Sequence, residues 1–300
     1  MQDITETIFN VGYSIWNTLI GIAMTLFTTS PTTANSTIYT TAKTLYNALM
    51  SISLPIAITF FLIAIIKDVI ATPPEQQARK FIQSTLKFAV LVGILANLWL
   101  FMGYIMQIAD GITDTMNITG NYELSMSADL QSAIDEVYNQ PSTKQLEITR
   151  LGESFNEVME EKGTHLAQKA ILFLGAAGTF IMTIAAGLSI INCAFQRIIK
   201  PLVLLPFSTI TVAMASGSHE AERIATSYLK TFFGLCLAGA FMVVAVNFGA
   251  AIVNGGLIAF NMATTDLWEK VMYIVVQNAI TPTVIAGLVK SADSTIARFF

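Results

Sequence analysis

The stretch from Gln196 to Lys230, QRIIKPLVLLPFSTITVAMASGSHEAERIATSYLK, is apolar, contains two prolines and has cations at both ends. As a helix, Pro201 to Ser216 would rise only about 24 Å, whereas a hydrocarbon core is about 30 Å thick. Cations beside membrane segments prefer the cytoplasmic side, so with both ends there the stretch does not cross. The pattern predicts a re-entrant or interfacial segment over residues 197–230, bent at Pro201 and Pro206.

The composition predicts an all-α polytopic membrane protein. Of the 300 residues, 54% are hydrophobic and 12% are charged, and the mean hydropathy is +0.62, which leaves little room for a soluble domain. The 20 acidic and 16 basic residues are segregated along the chain, so their positions say more than their sum. Cys193 and Cys236 lie in apolar runs without metal-ligand spacing, so we interpret them as core residues and expect no metal and no cofactor.

Five uncharged apolar runs predict five transmembrane helices, at residues 46–66, 88–108, 170–195, 231–253 and 271–289. Basic residues beside them favour an outside N-terminus and a cytoplasmic C-terminus. The chain then divides into an N-terminal amphipathic helix and loop (1–41), a first transmembrane hairpin with a basic cytoplasmic loop (42–109), an acidic extracytoplasmic helical loop (110–168) and a transmembrane core that holds the re-entrant segment (169–300). We expect Pro55 to kink the first span and Pro282 to break the last.

The N-terminal segment shows apolar residues at every third or fourth position and polar residues on the other side, which predicts an amphipathic helix. Two alternatives stay open. The helix packs at the interface or outside the membrane, or it is a sixth span whose polar stripe faces a lumen. The apolar stripe comprises Ile8, Val11, Ile15, Leu19, Ile22 and Leu26.

Two further sets of residues are candidates for contacts. Small residues let neighbouring membrane helices approach closely, which predicts helix packing at Gly175, Gly178, Gly234 and Gly239. In the acidic loop, an apolar stripe shared by one helix is a candidate docking surface for a partner, although a solvated face is the alternative. That stripe comprises Leu151, Phe155 and Val158.

The sequence is not that of an enzyme. His165 and His219 both lie near membrane boundaries, and the run from Ser216 to Glu220 is better interpreted as a helix N-terminus capped by Ser218 than as a catalytic relay. No nucleotide-binding motif is recognisable. No ionisable residue is assigned to the middle of a span, which argues against an ion-coupled pump.

Four cations, Arg197, Lys200, Arg223 and Lys230, flank the re-entrant segment. In a single copy they serve as topology anchors. In a ring of subunits they would surround one cytoplasmic mouth, where their fields would add and favour an anionic substrate such as single-stranded DNA.

The block from Phe195 to Val246 resembles the central region of the TrbL-type polytopic subunit of conjugative type IV secretion systems. The matching positions are Arg197, Pro201, Pro206, the linker SGSHEAER and the sequence Tyr228-Leu229-Lys230. The resemblance implies a homo-oligomer, a pentamer in that family, in the bacterial cytoplasmic membrane. It also implies contacts with membrane lipids, a stalk or pilus-tip protein and traffic ATPases, and a part in moving DNA and protein.

Three functional hypotheses follow. The first is a non-enzymatic channel or scaffold subunit of a conjugal transfer apparatus that forms part of the translocation path and supports an extracytoplasmic stalk. The second is a small-solute permease, which would act as a monomer or dimer with a midplane cavity. The third is a membrane adaptor that only anchors other subunits and has no lumen.

Overall fold

A computed structural model describes residues 2–32, 36–116, 122–126, 128–139, 155–217, 219–254 and 267–299. This part of the chain is helical and contains no strand, which confirms the all-α fold class. The helices are α1 Gln2–Thr28, α2 Ser36–Ile70, α3 Pro74–Ala96, α4 Leu98–Met116, α5 Ala128–Asn139, α6 Phe155–Leu204, a 3₁₀ turn Leu205–Phe207, α7 Ser208–Met214, α8 His219–Asn254 and α9 Leu267–Phe299.

The long apolar helices are those of a multi-pass membrane protein. Within the part of the chain that the structure describes, five stretches are long and apolar enough to cross a membrane: Gln2–Thr28, Thr37–Lys67, Ala167–Met214, His219–Ile252 and Val271–Ala292. The pair formed by α3 and α4 makes a sixth if it counts as one span. The N-terminal helix therefore has the length and composition of a span, which the sequence left open.

The buried side of α1 is not the stripe that its periodicity favoured. Trp16 and Ile20 are fully buried, whereas Val11 and Ile22 are 43% and 46% exposed. The helix is apolar on two sides. Phe9 and Trp16, seven positions apart, lie on the second side and are both buried. One face packs inside the protein, and the other is suited to lipid.

The predicted span 88–108 is not one straight helix. The axes of α3 and α4 differ by 64° at Asn97. The Asn97 side-chain Nδ2 donates to the Gly93 carbonyl at 3.0 Å, and its backbone N–H donates to Ile94 instead. The asparagine side chain thus binds the carbonyl that the Asn97 backbone N–H would bind in a continuous helix. The segment is a broken span or a re-entrant loop.

Of the four prolines that the sequence singled out, Pro206 lies at a break between helices, as predicted. Pro55, Pro201 and Pro282 all lie inside helices that continue through them. Helices in membranes tolerate proline where neighbouring groups satisfy the freed backbone. The break in the stretch 197–230 comes later, at the 3₁₀ turn that contains Pro206 and at the turn that follows α7.

The chain forms two compact units, which do not follow the four segments expected from the sequence. Unit 1 comprises residues 1–23, 119–192 and 245–290. Its core includes the close approach of α6 to α1 and to α9: a Cβ built at Gly187 would lie 2.6 Å from Leu19 Cδ1, and one at Gly175 would lie 2.6 Å from Val275 Cγ1.

A short segment of unit 1 is bound by the polar side of α1. The side chain of Asn17 accepts from the Leu124 N–H at 2.9 Å and donates to the Leu124 carbonyl at 3.0 Å. The Tyr13 hydroxyl donates to the Asn278 side chain. Part of the polar side of α1 therefore contacts other segments of unit 1.

Unit 2 comprises residues 24–118, 193–244 and 291–300. Its apolar core joins α2, α4, the end of α6, α7 and α8, and the helix α7 packs against α2 and α3. The members of this core with the largest side chains include Tyr46, Leu98, Met102, Leu202 and Phe232.

Candidate functional site

Arg197 stands at the centre of the candidate site, near the end of α6 in unit 2. It is a cation within an apolar helix, and its side chain is buried, with 2% of the residue exposed. Guanidinium Nη2 lies 3.0 Å from Asp110 Oδ1, and Asp110 is itself 9% exposed. The two residues form a buried ion pair between α6 and α4.

The same guanidinium caps the end of α1. Nη1 donates to the carbonyl oxygens of Leu26 at 3.2 Å, of Thr29 at 3.1 Å and of Phe27. The last carbonyls of a helix have no partner within it and carry partial negative charge. Arg197 therefore satisfies groups that would otherwise be buried without a donor, and it joins three separate parts of the chain.

Gly239 on α8 provides the space for this arrangement. A Cβ at this position would collide with Nε and Cζ of Arg197. The sequence pointed to Gly239 as a helix-packing residue, but its nearest neighbour is the guanidinium. A cationic side chain of this size fits against α8 only where a side chain is missing.

Two polar atoms of the pair remain without a hydrogen bond among the described residues: Asp110 Oδ2 and Arg197 Nε. Burying two charges is expensive unless their geometry is good and their remaining polar atoms are satisfied. Once the pair is buried, removing one member would leave the other charge buried and uncompensated, which costs free energy.

The ion pair corrects the side assignment made from charge. The sequence placed Asp110 in the outer loop and Arg197 on the cytoplasmic side, and it assigned no ionisable residue to the middle of a span. A buried pair lies in neither aqueous phase, so neither residue reports which side of the membrane is which. The positive-inside tendency concerns cations near the membrane surface, and Arg197 is not one of them.

The other three candidate mouth residues lie elsewhere in unit 2. Lys200 is half-buried on α6, one turn beyond Arg197. Arg223 and Lys230 are exposed on α8, seven residues apart, so they share one face of that helix. The four cations do not form one exposed cluster: the structure separates a buried arginine from an exposed basic face.

Two hydrogen bonds hold the two breaks of the stretch 197–230, one at the end of α6 and one at the turn after α7. The Tyr228 hydroxyl donates to the carbonyl of Leu204, the last residue of α6. The Ser216 hydroxyl donates to the Ala57 carbonyl of α2 at 2.7 Å, which fixes the turn after α7. Tyr228 belongs to the motif that carries the family resemblance, and this contact gives it a structural task.

The remaining predicted contact residues are three glycines and the apolar stripe of the acidic segment. A Cβ at Gly178 would meet nothing within 4 Å, in contrast to one at Gly175, and Gly234 is buried on α8. Phe155 and Val158 lie in α6, but their side chains are outside the described residues, as is all of Leu151.

The described residues do not contain a cluster of three or more His, Cys, Asp or Glu side chains that could hold a metal. His219 lies 3.2 Å from Glu222 on the exposed first turn of α8. The contacts of Arg197 and Tyr228 hold helix ends together, and the exposed cations of α8 present charge.

Sequence reasoning missed Asp110 because it stands at the edge of an acidic segment, where a solvated carboxylate is the usual interpretation. A signal was nevertheless present: an aspartate directly after the apolar run 88–109. The α1 carbonyls left no signal, since they depend on tertiary contacts. Comparison with protein-family models, curated proteins and solved structures gives no match to this chain.

Proposed function

We propose that the chain is a non-enzymatic channel or scaffold subunit of a type IV secretion, or conjugal transfer, apparatus in the bacterial cytoplasmic membrane. In this proposal it forms a homo-oligomer, a pentamer as the resemblance implies, that contributes to the path of DNA and protein substrates. The oligomer supports a stalk or pilus-tip protein outside and works with traffic ATPases inside. The C-terminus is cytoplasmic and the N-terminus lies outside.

The exposed basic face of α8 is the observation that carries the proposal. Arg223 and Lys230 lie on one side of a helix whose inner residues pack into the core of unit 2. Repeated around a ring, this face would present two cations per subunit to a shared opening and attract an anionic substrate. Within the block that resembles the TrbL-type subunit, these two cations are exposed, whereas Arg197 and Tyr228 hold the fold.

Measuring conjugal DNA transfer tests this role. In the double variant Arg223→Gln/Lys230→Gln we expect transfer to fall by about tenfold or more, on the basis that each lost cation weakens attraction to phosphate. Amounts of the protein in the membrane should stay at the wild-type level, because both side chains are exposed. Lys43→Gln, an exposed lysine near the start of α2, is the matched control and should transfer normally.

Unaltered transfer in the double variant would remove the substrate-path role. A fall of equal size in Lys43→Gln would attribute the effect to general loss of positive charge. A subunit that assembles normally but forms no continuous lumen would favour the adaptor hypothesis, and saturable uptake of a small solute would favour a permease.

A further inference from the structure

A second site lies in unit 2, between the helical hairpin of α2 and α3 and the turn that leads from α7 into α8. Here the structure has a groove of about 980 Å³, which we call the hairpin groove. Its lining includes Phe60, Ala64, Lys67, Lys80, Lys87 and Ile94. The volume is near the upper end of the range for ligand sites in proteins.

The lining changes from basic to apolar along both helices. On α3, Lys80, Ser84 and Lys87 are followed by Leu91 and Ile94 at helical spacing, so all five share one side. On α2 the order is reversed, because the two helices run in opposite directions: Lys67 lies near the hairpin turn, and Ala64 and Phe60 lie farther from it. The lysines therefore lie toward the hairpin turn, and the apolar residues of α2 and α3 lie toward the other end, where the turn after α7 also reaches Phe60.

Specific contacts hold together the helices and the turn that line the hairpin groove. Phe61 of α2 stacks on Phe88 of α3, with ring centroids 4.1 Å apart and an interplanar angle of 16°. The turn is tied to α2 by the Ser216 hydroxyl, and a Cβ at Gly217 would lie 2.9 Å from Phe60 Cδ1. The groove is a packed feature of unit 2, not a gap between loosely placed helices.

Six ionisable side chains line the groove: Lys67, Lys80, Lys87, His219, Glu220 and Glu222. The three lysines come from the hairpin, and the two glutamates come from the first turn of α8. Glu222 is next to His219 at 3.2 Å. The three lysines exceed the two carboxylates by one charge and all lie on the hairpin, so the lysine end of the groove favours an anionic group.

We propose that the hairpin groove binds one anionic phospholipid. Its phosphate lies among Lys67, Lys80 and Lys87, and an acyl chain lies along Phe60, Ala64 and Ile94. Basic pockets between membrane helices recognise lipid headgroups in this way. The helix α2 supports this occupant, because only 11% of the most apolar stretch within Thr37–Lys67 is buried, so most of that stretch is exposed to the surroundings. The site is separate from the basic face of α8 and does not depend on the proposed role in secretion.

Native mass spectrometry of the full chain in detergent tests the site, with dioleoyl phosphatidylglycerol, dioleoyl phosphatidylcholine and inorganic phosphate as three separate probes. We expect one phosphatidylglycerol per chain to remain bound at concentrations where phosphatidylcholine does not. In Lys67→Gln/Lys80→Gln/Lys87→Gln the affinity for phosphatidylglycerol should fall about a hundredfold, because each lysine near an anionic headgroup contributes roughly a fivefold factor. Lys43→Gln, on the same helix but outside the groove, should bind like the wild type.

A second variant, Ala64→Trp, keeps the lysines and fills the apolar end. It should weaken phosphatidylglycerol binding while the chain elutes at its normal volume. Equal retention of phosphatidylcholine, or unchanged binding in the triple variant, would overturn the proposal. Inorganic phosphate that binds as tightly as the lipid would also overturn it, since the apolar end would then contribute nothing.

Discussion

At the scale of single residues, Arg197 shows that a cation in an apolar helix must be assigned a partner before it is assigned a side of the membrane. Its guanidinium binds Asp110 and three carbonyls at the end of α1. Five donors in a fixed planar arrangement allow one side chain to do both. Lysine, with a compact ammonium, does not reproduce this geometry.

Removal of either member of the pair should destabilise unit 2. For Arg197→Gln and for Asp110→Asn we expect the free energy of unfolding to fall by about 3–5 kcal/mol, because each leaves an uncompensated buried charge. Unfolding in mixed micelles, followed by circular dichroism, measures the change. Arg223→Gln is the control and should stay within about 0.5 kcal/mol of the wild type, as expected for an exposed side chain.

Exchange of the two charges separates the ion pair from the helix cap. Asp110→Arg/Arg197→Asp keeps opposite charges together, but an aspartate at 197 has no hydrogen to donate to the carbonyls of Leu26 and Thr29. We expect no rescue relative to the single variants. Full recovery of stability by the exchange would show that the carbonyl contacts contribute nothing.

Gly239 should not tolerate a methyl group. We expect Gly239→Ala to lower the free energy of unfolding by about 1–3 kcal/mol, because the new Cβ would occupy the space of the guanidinium. The effect should shrink in an Arg197→Met background, where the side chain is flexible and uncharged. Gly178→Ala has open space and should be neutral or slightly stabilising. Equal losses at both glycines would contradict this explanation.

The part of the site that could be predicted from sequence ends with residue types. An arginine before a proline-containing apolar run and a glycine one helix later are both visible in the sequence. Their contact is not visible, because it joins residues 42 positions apart through tertiary packing. The same limit applies to Asp110, whose neighbours along the chain resemble those of a solvated carboxylate.

At the scale of helices, the sequence predicts existence better than continuity. The apolar runs appear as helices, including α2, α8 and α9. The breaks appear at Asn97 and at 205–207, whereas the prolines at 55, 201 and 282 interrupt nothing. A break depends on whether a local side chain or a neighbouring helix satisfies the freed backbone groups, and that depends on the packed structure.

Tyr228 should stabilise the broken end of α6. In Tyr228→Phe we expect a loss of about 1 kcal/mol, because the Leu204 carbonyl keeps its place in a partly buried site but loses its donor. The same unfolding measurement reports it. Tyr104→Phe, at an exposed tyrosine of α4, should change nothing measurable. A larger loss at Tyr104 than at Tyr228 would be inconsistent with this role.

At the scale of the whole molecule, unit 2 shows three different uses of charged side chains in a membrane protein. A buried pair holds unit 2 together, an exposed basic face lies on α8, and three lysines line the hairpin groove. The sequence identified Arg197, Arg223 and Lys230 as candidates and described the hairpin loop as basic, but it did not show that these cations form three separate groups. Composition places charges near membrane boundaries, but only burial shows which of them can act on a partner.

We propose that copies of this chain form a ring around a common path. Electron microscopy of the purified chain in lipid nanodiscs tests this arrangement. We predict particles with cyclic symmetry, fivefold as the family resemblance implies, in which Arg223 and Lys230 face the central axis. Monomeric or dimeric particles, or a ring in which α8 turns these two residues outward, would contradict it.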